Sequence, residues 1–206
     1  MIGIIDYGAG NLHSVLKAID RLGYQTKLIT KPSDHDELIT KLILPGVGNA
    51  KVAMNVLNKS GLSDYLRERV SEGIPLLGIC LGMQLLLETS EEGSIACLEF
   101  LKGTVPAFKE NVEKIPHMGW NQVNDVQQHF LFNDIPDHTD FYFVHSFYAN
   151  PVEQHEVLGV TDYGFEFASV IGNEQVMGVQ FHPEKSGQFG IQLLDNFCKQ
   201  GVYVHA

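Results

Sequence analysis

Short apolar runs alternate with longer amphipathic stretches through the first half of this chain, and that order constrains its fold more than any other feature of the sequence. The apolar runs lie at residues 2–6, 26–30, 42–44 and 76–79, and the amphipathic stretches at residues 11–22, 49–70 and 81–88. Strand and helix patterns in this order predict a mainly parallel sheet flanked by helices. We therefore expect an α/β fold.

The second half contains more strand patterns than helix patterns. Candidate strands lie at residues 103–108, 140–144, 157–161, 167–171 and 176–181, and a closing amphipathic helix lies at residues 190–199. Strands with few helices between them are commonly antiparallel, so we expect antiparallel strands that extend the sheet or form a small second layer. Residues 89–97 are predicted to be a surface loop, and residues 1–206 a single domain.

Composition and charge argue against several classes of function. Twenty-five acidic residues outnumber 14 Lys and Arg, and the net charge of −11 would repel the phosphate backbone of nucleic acids. The first residues lack a basic leader followed by an apolar segment, and the sequence contains no apolar run long enough to span a bilayer. We expect a cytoplasmic protein that binds neither nucleic acid nor a membrane.

The motif with the clearest chemical meaning is Gly-x-Cys-x-Gly at residues 78–82, between an apolar strand and an apolar helix. It is the cysteine form of a nucleophile elbow, a sharp strand-to-helix turn that needs glycines on both sides of the nucleophile. The amides and dipole at the start of the next helix favour a thiolate at Cys80. A buried structural cysteine is the alternative, and it is the better interpretation for Cys97 and Cys198, which lack such glycines.

A histidine and a glutamate, His182 and Glu184, end an alternating strand pattern at residues 178–184. A thiol nucleophile needs a general base, and the base needs a third group to orient it. Residues two apart face the same way in an extended chain, and Pro183 stiffens the backbone between them. We predict that His182 is the base and Glu184 its orienting group, although any one of the nine histidines, taken alone, is more often a surface or core residue.

A glycine turn at residues 44–49 follows another apolar strand and precedes a helix. It would aim backbone amides at the same edge of the sheet as Cys80, where acyl transfer needs donors for a developing oxyanion. We predict that this oxyanion hole comprises the amide of Leu81 and the turn residues Val47 and Gly48. Such a turn alone is more often only a turn, but the neighbouring elbow favours the functional interpretation.

Two further interpretations fail on spacing. Glycines follow the first strand, as in dinucleotide-binding proteins, but the third glycine of that fingerprint would fall at His13, and the second strand does not end in an acid. No metal-binding spacing of His and Cys occurs, and three cysteines without close pairing indicate neither a disulfide framework nor zinc. We predict no cofactor and no metal.

The elbow, the glycine turn and the terminal His-Pro-Glu together resemble the class I glutamine amidotransferase family along almost the whole chain. Longer motifs narrow the resemblance to the glutaminase subunits that serve histidine biosynthesis, and they lie at residues 6–15, 116–121, 142–146 and 182–186. The resemblance implies a Rossmann-like sheet. It also implies a catalytic triad of Cys80, His182 and Glu184 that releases ammonia from glutamine.

The resemblance further implies which residues contact substrate and partner. Glutamine would be held near Gly48, Gln84, Glu92 and Ser146, and the Val47 peptide would have to turn to present its amide. A barrel-shaped cyclase subunit would form a heterodimer with this chain, receive the ammonia and activate an otherwise almost idle glutaminase. The residues implied to lie toward that partner are Asn11, His117, Trp120, Tyr142 and Lys185.

Alternatives stay open from the sequence alone. Residues 93–100 depart from the family pattern, which has a short Gly-Leu-Gly segment there, and this departure bears on the contact of Glu92. The same motifs would suit a paralogue that feeds a sugar amidotransferase in surface-polysaccharide synthesis, a stand-alone cysteine hydrolase, or a non-catalytic binding module. Trp120 and Tyr142 could instead be core aromatics, and Lys185 a solvated surface charge.

Overall fold

The computed structural model describes residues 1–8, 10–109, 112 and 114–200. Ala9 of the N-terminal motif and residues 201–206 of the predicted domain lie outside the described residues. The strands are β1 (Ile2–Ile5), β2 (Thr26–Ile29), β3 (Lys41–Leu44), β4 (Leu76–Ile79), β5 (Thr89–Ser90), β6 (Ile95–Ala96), β7 (Gly103–Val105), β8 (His117–Asp125), β9 (Thr139–His145), β10 (Asn150–Pro151), β11 (Val157–Asp162), β12 (Glu166–Gly172) and β13 (Val176–Val179). The α-helices are α1 (Leu12–Arg21), α2 (Ala50–Ser60), α3 (Leu62–Ser71), α4 (Leu81–Gln84) and α5 (Gly187–Lys199).

A nine-stranded sheet has the order β2-β1-β3-β4-β13-β12-β11-β8-β9. Neighbouring strands are parallel from β2 to β13 and antiparallel from β13 to β9. A smaller four-stranded sheet has the order β10-β7-β5-β6. The predicted α/β fold is confirmed, and the antiparallel strands of the second half both extend the sheet and contribute to a second layer.

The parallel strands β1, β3, β4 and β13 are buried along their whole length, as expected when helices cover both faces of a sheet. Consecutive residues point to opposite faces, so Leu42 and Leu44 belong to one buried apolar cluster and Ile43 to the other. Helices α2 and α3 contribute to the first cluster, whereas α1 and α5 contribute to the second. Cys80 follows β4 and His182 follows β13, so both catalytic candidates come after strands that are packed on both faces.

Two predicted helices differ from the structure. The stretch at residues 49–70 forms two helices, because Gly61 has a φ of 77° and ends α2 in the left-handed conformation. The helix predicted at residues 81–88 ends at Gln84. The carbonyls of Leu85 and Leu86 accept hydrogen bonds from Leu98 and Phe100 instead of from the next helical turn.

The region around residues 89–97 is only partly a loop, since β5 and β6 form an antiparallel pair within it. The strand β8 was not predicted from the sequence, although it pairs with β9 at seven positions. Among the residues that the structure describes, no helix has the length and apolar character needed to cross a membrane.

Candidate active site

Cys80 occupies the sharp turn between β4 and α4, with φ of 55° and ψ of −109°. This is strained backbone for a residue with a side chain. A Cβ at Gly78 would lie 2.6 Å from the carbonyl oxygen of Gly82, and a Cβ at Gly82 would lie 1.8 Å from that of Leu44. Both glycines are therefore required, but they relieve contacts with backbone rather than with the nucleophile itself.

Cys80 is buried, with 5% of the residue exposed, and its thiol lies among polar groups. It donates to the carbonyl of Val144 at 3.8 Å, and Gln180 Nε2 donates to the sulfur at 3.8 Å. The helix that follows has only four residues, so its dipole contributes less at Cys80 than the sequence led us to expect.

His182 and Glu184 form the second part of the site. Nδ1 of His182 lies 2.8 Å from Oε1 of Glu184, and both side chains are fully buried. The backbone between them is a 3-10 turn at Pro183–Lys185, so the predicted extended segment is wrong. His182 is held at the end of the sheet because its amide donates to the carbonyl of Tyr142 at 2.9 Å.

The protonation of His182 depends on its neighbours. Burial lowers the pKa of the ring, but the interactions with Cys80 and Glu184 outweigh burial and raise the pKa to about 9. Nδ1 is engaged by Glu184, whereas Nε2 is buried without a hydrogen-bond partner in the described part of the chain. The fold thus brings the three predicted residues together and leaves Nε2 available to the thiol.

Asn11 has a place in this site that the sequence analysis did not predict. Its Nδ2 donates to Glu184 Oε1 and lies 3.3 Å from His182 Nδ1. It follows the first strand, and parallel strands present their carboxyl ends at one edge of a sheet. This position after the first strand is the sequence signal that could have predicted the contact. The sequence analysis predicts only that Asn11 faces the partner, and that stays a prediction.

A cavity of about 320 Å³ opens beside Cys80. Its lining includes the four residues that the resemblance implied for glutamine, namely Gly48, Gln84, Glu92 and Ser146. Gln84 Nε2 donates to Phe147 O at 2.9 Å and to Gln180 Oε1 at 3.0 Å. Glu92 Oε2 accepts from the amide of Ala50 at 2.6 Å. The divergent segment after Glu92 therefore does not remove this carboxylate from the cavity.

The turn residues Val47 and Gly48 line the same cavity, but the third predicted oxyanion donor, the amide of Leu81, is hydrogen-bonded within the protein. The amide of Leu81 donates to the carbonyl of Gly46 at 3.3 Å. Gly48 has a φ of 116°, a conformation that favours glycine. One of the predicted oxyanion donors, the amide of Leu81, is therefore already engaged by the turn itself.

His117 and His145, which lines the cavity, form a buried pair that the sequence analysis does not predict. Nδ1 of His117 lies 2.9 Å from Nε2 of His145, and Nδ1 of His145 lies 2.8 Å from Phe147 O. Burial lowers the pKa of His117 to about 4 and that of His145 to about 3. The sequence had marked His117 as partner-facing, but its side chain is buried, at 3% exposure.

The other residues predicted to face a partner lie near the surface. Trp120 is 57% exposed, so its interpretation as a core aromatic is wrong. Tyr142 is half-buried and packs edge-on against Trp120, with ring centroids 6.0 Å apart. Lys185 is exposed.

Cys97 and Cys198 are buried, and burial raises the pKa of each thiol to about 12, so both stay protonated at neutral pH.

Comparison with known proteins defines the class. Residues 3–200 match the family model of class-I glutamine amidotransferases. The fold is shared with a crystal structure of a glutamine amidotransferase, at a TM-score of 0.74 and 21% identity over 96% of this chain and 97% of that chain. It is also shared with PurLQS from Thermotoga maritima, at a TM-score of 0.75 and 17% identity over 96% of both chains. The chain belongs to the class-I glutamine amidotransferase family.

Curated relatives narrow the family to HisH, a subunit of imidazole glycerol phosphate synthase. The HisH subunit of Dehalococcoides mccartyi is 46% identical over 98% of both chains. That of Moorella thermoacetica is 51% identical over 95% of this chain and 93% of its own. That of Methanocaldococcus jannaschii is 48% identical over 97% and 99%, respectively. Within the class, these identities place the chain among the HisH subunits.

Proposed function

We propose that this chain is the glutaminase subunit of an imidazole glycerol phosphate synthase, which hydrolyses glutamine to glutamate and passes the ammonia to a cyclase subunit for histidine biosynthesis. The observation that carries the proposal is that Cys80, which lines the cavity, interacts with His182, whose Nδ1 lies 2.8 Å from Glu184 Oε1. These residues come from two separate parts of the sequence, and an elbow cysteine beside a carboxylate-bound imidazole suits acyl transfer.

The first half of the reaction forms a thioester. The Cys80 thiolate attacks the γ-carbonyl carbon of glutamine, so that a carbon–sulfur bond forms and the carbonyl electrons move onto oxygen. When the tetrahedral intermediate collapses, the carbon–nitrogen bond breaks, and the imidazolium of His182 gives its proton to the leaving nitrogen. The products of this step are ammonia and a γ-glutamyl thioester on Cys80.

The second half of the reaction regenerates the enzyme. His182, now neutral, takes a proton from water as the water oxygen attacks the thioester carbonyl. The carbon–sulfur bond breaks, glutamate leaves and Cys80 returns to the thiolate. Glu184 holds Nδ1 of His182 throughout, so that Nε2 performs both transfers. In both halves the oxyanion needs the amide of Leu81 and an amide of the glycine turn.

The partner surface is best supported at β8. Met118 and Trp120 lie two residues apart on this strand and are 61% and 57% exposed, so they share one face. Tyr142 lies opposite Trp120 in the pairing of β8 with β9. Exposed apolar side chains of this size commonly mark protein interfaces. The proposed occupant is the barrel-shaped cyclase subunit, in a cytoplasmic heterodimer, with the exposed Lys185 as a further proposed contact.

Glutamine hydrolysis tests this function when it is measured with the chain alone, with the cyclase subunit, and with the cyclase subunit plus its phosphoribosyl ligand. The chain alone should be nearly idle, because the Leu81 amide is bound to Gly46. The full complex should be about 10² to 10³ times faster, the effect of one oxyanion donor.

Cys80→Ala should abolish the activity of the complex, while the control variant Cys198→Ala should retain it. Rapid hydrolysis of various amides by the chain alone would instead indicate a stand-alone hydrolase. No ammonia release in any combination would reject the proposed function, and stimulation by a sugar amidotransferase but not by the cyclase would indicate the paralogue.

A further inference from the structure

The hydroxyl of Tyr7 is an unpaired polar group next to the active site. Tyr7 is 7% exposed, and its Oη is buried without a hydrogen-bond partner in the described part of the chain. Buried polar atoms are nearly always hydrogen-bonded, so an orphan of this kind points to strain or function. Burial and the neighbouring Cys80 raise the pKa of Tyr7, and the group therefore stays protonated and able to donate.

The hydroxyl lies against Gly46 of the glycine turn. A Cβ built on Gly46 would be 2.1 Å from Tyr7 Oη, so the hydroxyl occupies the space where any other residue at this position would carry its side chain. A Cβ there would also be 3.3 Å from the Cβ of Leu81. Tyr7, Gly46 and Leu81 thus meet at one point beneath the turn.

The carbonyl of Gly46 is the group that a working oxyanion hole would leave without a partner. It now accepts the amide of Leu81 at 3.3 Å, and that amide must be released before it can bind an oxyanion. Gly46 is buried, so its carbonyl would then need another donor. Glycines at positions 46 and 48 give the turn the backbone freedom to move.

We propose that Tyr7 is a positioning residue whose hydroxyl donates to the Gly46 carbonyl when the amide of Leu81 is released. The unpaired hydroxyl lies against the same residue, Gly46, whose carbonyl would lose its hydrogen-bond partner, and pairing the two would stabilise the catalytic arrangement of the turn. The resting arrangement gains nothing from the hydroxyl. This inference rests on the proposed glutaminase function and names a residue that the triad does not include.

Tyr7→Phe in the full complex, with the cyclase subunit and its ligand bound, tests the inference. The variant should lower kcat for glutamine about tenfold, or about 1.4 kcal/mol in activation free energy, and leave KM unchanged. Its thermal unfolding midpoint should stay the same or rise, because the hydroxyl has no partner at rest. Alkylation of Cys80 by iodoacetamide should match the wild type, since that reaction needs only the thiol.

Tyr65→Phe is the matched control. Tyr65 is also buried, but its hydroxyl is hydrogen-bonded to His35 Nδ1 at 2.9 Å. This variant should lose stability and keep kcat, the opposite pattern. A wild-type kcat in Tyr7→Phe would overturn the inference, as would a loss of kcat that is matched by a loss of stability. A wild-type complex without glutaminase activity would overturn the proposed function and the inference with it.

Discussion

His117 Nδ1 lies 2.9 Å from His145 Nε2, and the partners at both ends of this pair determine where the protons are. The carbonyl of Phe147 only accepts, so Nδ1 of His145 carries a proton and Nε2 of the neutral ring accepts from His117. Asn121 Nδ2, at 3.3 Å, can then donate to Nε2 of His117. All three contacts are satisfied only when both rings are neutral, which agrees with their lowered pKa values.

His117→Phe should destabilise the protein by about 1–3 kcal/mol at pH 7.5, because Nε2 of His145 loses its donor. Phenylalanine can keep the stacking of this ring on Phe143 and Tyr163. The unfolded pKa of histidine is about 6.5 and the folded pKa of His117 about 4, so the stability that its neutral form provides is present above pH 6.5 and is lost as the pH falls.

The loss in free energy of unfolding that His117→Phe causes should therefore be smaller at pH 5 than at pH 7.5, as measured by urea unfolding at both pH values. His138→Gln, at an exposed histidine, serves as the control and should change stability little at either pH. A deficit that is equal at pH 7.5 and pH 5 would show that His117 is not held neutral by burial.

Asn11→Gly should lower kcat of the complex about tenfold, since Glu184 loses a donor and orients His182 less well. Glycine tolerates the φ of 73° at this position, so the change removes the amide without adding backbone strain. Asn11→Asp should be worse, because it places a second carboxylate against Glu184. Steady-state kinetics with Asn58→Ala as a remote control check this. Equal activity of wild type and Asn11→Asp would mean that the contact has no role in catalysis.

Cys80→Ala should lower the pKa of His182 from about 9, because the interaction with the sulfur is lost while burial continues to disfavour the charged ring. A folded pKa above the unfolded value of about 6.5 stabilises the protein at low pH. That stability is complete below pH 6.5 and is lost as the pH rises through 9. An NMR titration of the His182 ring in both proteins measures the shift, and an unchanged pKa would contradict the coupling.

Gly82→Ala should destabilise the protein strongly, by about 2 kcal/mol or more, because its Cβ would lie 1.8 Å from the carbonyl oxygen of Leu44. Gly23→Ala is the comparison. It has a φ of 85°, and apart from its chain neighbours no atom of the described residues lies within 4 Å of a Cβ built there, so only a conformational cost of about 1 kcal/mol applies. Chemical unfolding of the two variants separates these effects, and equal losses would show that the elbow can relax.

The elbow was predictable because its signal is local. Glycines two residues on either side of Cys80, between a strand pattern and a helix pattern, specify a turn that only such residues can form. The parallel strands were equally clear, since they are continuous apolar runs. Strand β8 was missed because His117–Asp125 carries exposed Met118 and Trp120 on its outer face and lacks a continuous apolar pattern.

The hydrogen bonds that engage the oxyanion donor and the triad glutamate could not be predicted from a local pattern. The bond from Leu81 to Gly46 and that from Asn11 to Glu184 join residues 35 and 173 positions apart. No local pattern encodes such pairs, because tertiary packing decides which donors and acceptors meet. The division of residues 49–70 into two helices at Gly61 was also not predicted. The amphipathic pattern continues across this glycine, and only the structure shows its φ.

The most direct test of the central claim is to map the covalent intermediate. The complex with its cyclase subunit and ligand is quenched in acid during turnover with glutamine, and the protein is digested and examined by mass spectrometry. A γ-glutamyl group should be found on Cys80 in the wild type and be absent in Cys80→Ala. A γ-glutamyl group on another residue, or undiminished ammonia release by Cys80→Ala, would contradict the account.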